Sequence, residues 1–146
     1  MPVSILIAED DEDDFVLCRR ALKPTPLGER IHWVRDGAEL LDFLLRRGRF
    51  GDAGPLPAPL IILLDLNMPR MDGREALRAI RADPGLRRLP VTILSTSGLE
   101  EDVAACHDLG ANSYIHKPSD PDRFSANISA HVRYWLETVE LPDNLG

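Results

Sequence analysis

Basic residues are in short supply. The chain has 17 Lys and Arg against 24 Asp and Glu, a formal net charge of −7 and a pI near 5.0. That balance argues against nonspecific binding to nucleic acid or anionic membranes, and no helix-turn-helix pattern or basic arm offsets it. Cysteine is nearly absent. Cys18 and Cys106 lie in unrelated surroundings with no CxxC spacing, so they read as small buried apolar residues rather than a disulfide framework. Long apolar runs are missing as well, since the longest, Leu60 to Leu64, is far too short to cross a bilayer. The opening MPVSILIAEDD lacks a basic leader region and reaches acids too soon for a signal peptide, so a cytoplasmic protein is expected. No Gly-rich phosphate loop follows the first apolar run. Acids stand where a bound anion would need amides, which speaks against a nucleotide- or flavin-binding domain.

What is present is alternation. The 146 residues, 44% hydrophobic and 28% charged, suit one globular domain with a respectable core. VSILIA reads as a buried strand ending in acids. Phe15, Cys18, Ala21 and Leu22 then recur at helical spacing until Pro24 and Pro26. IHWV is a second strand, and Asp36 caps a helix carrying Leu40, Leu41, Leu44 and Leu45. GRFGDAGPLPAP is a long Gly- and Pro-rich connector. LIILLDL, VTILS and SYIH read as three further strands. Helices follow them at Ala76–Ile80, at Val103–Cys106 ending near Gly110, and from about Pro121. Five β–α units in series imply a doubly wound (βα)5 fold of the flavodoxin-like kind, with a five-stranded parallel sheet. Such folds bind ligands at the carboxyl ends of their strands.

The strand ends carry the chemistry. Strand one ends in Glu9, Asp10 and Asp11, strand three in Asp65, strand four in Ser95 and Thr96, and strand five in Lys117. Singly, each has an ordinary reading as a solvated turn, a helix cap or a surface lysine. Together they make a pocket in which crowded carboxylates call for a hard cation. Mg2+ takes oxygen ligands and suits Asp10, Asp65 and the backbone carbonyl of Asn67, with Glu9 holding a metal-bound water. Asp65 is then a carboxylate able to form an acyl phosphate, with Lys117 neutralising charge and Ser95 hydrogen-bonding the arriving phosphoryl group.

At ILIAEDD, LLDLNMPRMDG, ILSTSG and YIHKP the sequence resembles the response-regulator receiver family of two-component signalling, essentially from end to end. The resemblance implies an acid pair at Glu9 and Asp10, a phosphoacceptor at Asp65, and a metal-binding carbonyl at Asn67. It also implies a hydroxyl switch at Ser95, an aromatic switch at Tyr114, a lysine at Lys117 and a cis Lys117–Pro118 bond. Thr96 departs from the pattern, which usually has Ala or Gly there, and its bulk is expected to slow entry to the pocket. The connector before strand three and the ending YWLETVELP look like the small regulators that partner bacterial phytochrome histidine kinases.

A single receiver domain over 1–141 is therefore expected, with a short tail at 142–146 and no output domain. The chain is expected to act as a phosphoacceptor rather than an enzyme, taking its phosphoryl group from a histidine kinase and signalling by protein interaction. Trp135 and Val139 are expected to outrun the sheet and form a homodimer interface through the last helix. None of the four histidines reads as a phosphotransfer centre. A dehalogenase-type phosphohydrolase is the rival from another class. It needs a second aspartate two residues after the nucleophile, where this chain has Asn67. A degenerate receiver serving only as an interaction module is opposed by the intact Asp10, Asp65, Ser95 and Lys117.

Overall fold

The computed structural model describes residues 2–142. Its strands are β1 (Ser4–Ala8), β2 (Ile31–Val34), β3 (Leu60–Asp65), β4 (Val91–Ser95) and β5 (Ser113–His116). The helices are α1 (Glu12–Leu22), α2 (Gly37–Leu45), α3 (Gly73–Ala82), α4 (Glu100–Asp108) and α5 (Pro121–Arg133). All pairings are parallel in the order β2-β1-β3-β4-β5. This is the doubly wound sheet expected from the alternation. β1, β3 and β4 are buried along their whole length, as their unbroken apolar runs require, while the edge strands β2 and β5 are half-buried.

The sheet separates two apolar clusters. One gathers Leu6, Ile62, Leu64 and Ile93 with α2 and α3, and the other gathers Ile5, Ile7, Ile61, Leu63 and Leu94 with α1 and α5. Cys18 and Cys106 are free and fully buried, as read from the sequence. Burial pushes the Cys18 thiol up to about 12, which leaves it inert.

Four helices start on an aspartate cap. Asp11, Asp36, Asp72 and Asp120 accept from the backbone N–H of Asp14, Glu39, Glu75 and Asp122. Each capped turn follows a strand, so these helix starts gather at the edge of the sheet where the strands end. The connector after α2 is held down, with Phe50 and Leu56 packed on the core and Arg46 donating to the Pro55 carbonyl at 3.1 Å.

Two expectations need correction. The cis peptide among the described residues is Ala58–Pro59, so Lys117–Pro118 is trans. Nor does the last helix carry Trp135 clear of the sheet. After Arg133 the chain widens into a π-helical turn, Tyr134–Thr138, and Trp135, Leu136 and Leu141 pack against the α1–α5 cluster. The Trp135 indole N–H donates to His131 Nε2 at 2.7 Å, which gives the buried end of the ring its partner. Tyr134 is the exposed aromatic, at 47%. Residues 143–146 of the expected tail lie outside the described residues.

Candidate phosphoacceptor and metal site

Glu9, Asp10 and Asp65 converge at the ends of β1 and β3, each offering a carboxylate oxygen within 4.8 Å of the others. Their environments differ. Glu9 is fully buried and Asp65 is 5% exposed, whereas Asp10 faces solvent. Lys117, buried just past β5, donates to Glu9 Oε1 at 2.6 Å and Asp14 Oδ2 at 2.9 Å, and lies 3.6 Å from Asp65 Oδ1. Burial, and next the nearby Asp65, push the Glu9 carboxyl up to about 8 against the pull of Lys117. Burial would lower the Lys117 ammonium, but Glu9, Asp14 and Asp65 together hold it above its usual range. Three carboxylates around one ammonium leave negative charge that a divalent cation would neutralise, and the donor set is hard oxygen throughout.

The loops complete the site. The N–H of Asn67, on an exposed turn, reaches back to Asp65 Oδ1 at 3.4 Å. Gly73 begins α3 under this turn, and a Cβ there would lie 2.4 Å from the Asp65 carbonyl, so the glycine of MDG is a steric requirement. Ser95 is buried at the end of β4, its hydroxyl accepting from the Ser97 N–H at 3.1 Å and its carbonyl accepting from the Lys117 N–H at 2.7 Å. Tyr114 packs inward against the α2–α3 cluster and donates its hydroxyl to the Ser97 carbonyl at 2.8 Å. Thr96 is exposed and shares the wall of an open surface cavity with Tyr114 and Lys117. Glu9, Asp10, Asp65, Asn67, Ser95 and Lys117 thus fall at one end of the sheet, while Tyr114 lies within β5 opposite Ile93. Asp14 was missed, because within EDDEDD it is indistinguishable from a solvated helix start.

The family profile described as "Response regulator receiver domain" matches residues 5–129. The chain belongs to the response-regulator receiver family. This receiver is 38% identical to response regulator Rcp1 of Synechocystis sp. over 141 residues, 97% of this chain and 94% of that one. Among solved structures, the phosphorylated cyanobacterial phytochrome response regulator RcpA superposes with a TM-score of 0.87 at 37% identity, covering 95% of this chain and 97% of that one. The Mn2+-bound form of Rcp1 gives the same TM-score and identity, covering 97% and 99%. The acidic cluster of this receiver, Glu9, Asp10 and Asp65, is an all-oxygen donor set of the kind that could hold a divalent cation. Among the described residues no helix is long and apolar enough to cross a membrane.

Proposed function

We propose that this receiver accepts a phosphoryl group on Asp65 from a histidine kinase, with Mg2+ bound by Asp10, Asp65 and the Asn67 carbonyl and a water held through Glu9. The observation that carries this reading is the Asp65 carboxylate, buried at a strand end among two further carboxylates and the Lys117 ammonium. Mg2+, when bound, supplies charge neutralisation for the phosphoryl oxygens. The protein's own groups do the rest. An Asp65 carboxylate oxygen forms the new P–O bond as the donor's bond to phosphorus breaks and the donor leaves with the electron pair. Lys117 moves its ammonium from the carboxylates toward the phosphoryl oxygens, and the Ser95 hydroxyl donates to one of them. Tyr114, tied to the loop that follows Ser95, couples that shift to the β5 surface.

The likeness to Rcp1 and to the phytochrome regulator RcpA supports a phytochrome-type kinase as the donor. On this reading the receiver unit runs to residue 141 and the protein is cytoplasmic, signalling by phosphorylation-controlled interaction. A homodimer through the last helix would now use exposed Tyr134 in place of Trp135.

The test is intact mass after incubation with acetyl phosphate. One added phosphoryl group is expected with Mg2+, and none without Mg2+ or in Asp65→Asn. Steady phosphate release with no adduct would favour the hydrolase instead.

A further inference from the structure

Asp10 makes no side-chain hydrogen bond or ion pair among the described residues, so its carboxylate is aimed by its backbone alone. The peptide leading into Asp10 carries the Glu9 carbonyl, and that oxygen accepts from the Trp33 indole Nε1–H at 2.8 Å. On the other side of Glu9, the N–H donates to the Val34 carbonyl at 3.0 Å. Both contacts come from the end of the edge strand β2, whose Trp33 is paired in register with Ile7.

The indole is itself fixed. Phe15 stacks flat against it, with centroids 3.9 Å apart and planes 2° from parallel, and the Arg35 guanidinium carbon lies 4.1 Å from the ring centroid. Phe15 lies in the first turn of α1, immediately after the acidic loop. The ring therefore holds the loop at both ends, by a hydrogen bond where it leaves β1 and by stacking where it enters α1. An indole buried for packing alone needs only some acceptor. This one uses the carbonyl whose rotation would turn Asp10 away from Asp65.

We propose that Trp33 is a positioning residue for the divalent-cation site: its indole N–H fixes the Glu9–Asp10 peptide plane and so presents the Asp10 carboxylate toward Asp65. The inference rests on the reading that Asp10 and Asp65 bind the cation. Trp33→Phe keeps a ring on Phe15 and removes the N–H. With Asp10 no longer held in alignment, a binding loss equivalent to about one net hydrogen bond, about a fivefold rise in the Mg2+ dissociation constant, is expected by calorimetry. The same bond is present without metal, so the metal-free urea midpoint is expected to fall modestly as well, and Asp65 phosphorylation is expected to return to the wild-type rate at saturating Mg2+.

A variant that loses stability but binds Mg2+ as wild type does would overturn the proposal and leave the metal reading standing. Wild-type protein that binds no Mg2+ would overturn both. A second measurement needs no variant. In the amide and indole NMR spectrum of the wild type, the Trp33 N–H signal is expected to shift in step with Mg2+ titration. The Trp135 N–H, bonded to His131, is expected to stay fixed. A Trp33 signal unmoved at saturating Mg2+ would overturn the proposal even if Trp33→Phe failed to fold.

Discussion

Asp65→Asn is expected to make the metal-free receiver more stable while abolishing its stabilisation by Mg2+. The reason is the crowding at the sheet edge. With carboxylate oxygens of Asp10 and Asp65 within 4.8 Å, their repulsion is about 1–3 kcal/mol for an effective dielectric between water and a protein surface. Lys117 offsets it at 3.6 Å, but that ammonium is closer to Glu9 and Asp14 and keeps both when the Asp65 charge is removed. Glu9 also gains, since Asp65 is one of the causes that push its carboxyl up to about 8. Two repulsions, with Asp10 and Glu9, are relieved and one attraction, to Lys117 at 3.6 Å, is lost, so the net gain is about 1 kcal/mol, a rise in Tm of about 3 °C for a chain of this size. In the wild type, Mg2+ at a hundredfold excess over its Kd adds about 2.7 kcal/mol by mass action. Urea unfolding of both proteins, with and without Mg2+, measures all four quantities. A variant less stable than wild type in the absence of metal would refute the crowding argument. One that gained as much from Mg2+ would refute Asp65 as a ligand.

Three further outcomes are expected. Arg81 ties α3 to the starts of β4 and β5 through the carbonyls of Gly110, Arg87 and Leu89 and the Asn112 side-chain oxygen, at 2.7–3.0 Å. Arg81→Met should cost about 2–4 kcal/mol in urea unfolding and leave phosphorylation of Asp65 intact where the variant is folded. His131 Nε2 accepts from the Trp135 indole at 2.7 Å and lies 2.6 Å from the Thr92 hydroxyl, and burial pushes its imidazole down to about 4. The unfolded chain therefore takes up this proton first, near 6.5, and the stability His131 contributes is complete above that pH and lost as pH falls toward 4. Glu9 titrates in the opposite sense, so the measurement is the difference in urea midpoint between wild type and His131→Gln at pH 7 and at pH 5, which should shrink at the lower pH. Tyr134→Glu should convert a dimer to monomer by sedimentation while leaving Asp65 phosphorylation unchanged, and an unaltered dimer would exclude the last helix as the interface.

Much of this was legible in the sequence, for identifiable reasons. SILIA and LIILLD have no polar face, so they had to be central strands, and the residues that end them had to share an edge. Asp36 announced its helix because a cap is a local interaction. Contacts across the tertiary structure leave no such trace. Nothing in IHWV says that Trp33 bonds the Glu9 carbonyl 24 residues earlier, and nothing in EDDEDD separates buried Glu9 from exposed Asp10 or assigns Asp14 to Lys117. Trp135 misled because helical spacing continues through YWLET, whereas the backbone widens there and brings the ring back to the core.

The contacts around Asp65 also indicate where a structural response would be confined. The turn after β3 is tied to α2 by Arg70, at φ 63°, whose guanidinium grips Asp36 at 2.9 and 3.0 Å, and by the Gly37 N–H on the Met71 carbonyl at 2.9 Å. The turn after β4 is tied to α4 by the Ser97 hydroxyl on Asp102, whose other oxygen meets Arg74 of α3 at 3.3 Å. The Arg74–Asp102 pair is partly open to solvent, and exposed ion pairs of this kind contribute about 1 kcal/mol or less; Asp36 is buried, but the Arg70 that grips it is exposed. The sheet beneath is different, since Ile62, Leu64, Ile93 and Leu94 are buried and displacing any of them forfeits close packing. A phosphoryl group carrying about two negative charges in place of the single charge of the Asp65 carboxylate would therefore redistribute the weak ties before it moved a strand. On that reasoning, phosphorylation changes the two turns and the starts of α2 and α4, and leaves the strand register unchanged.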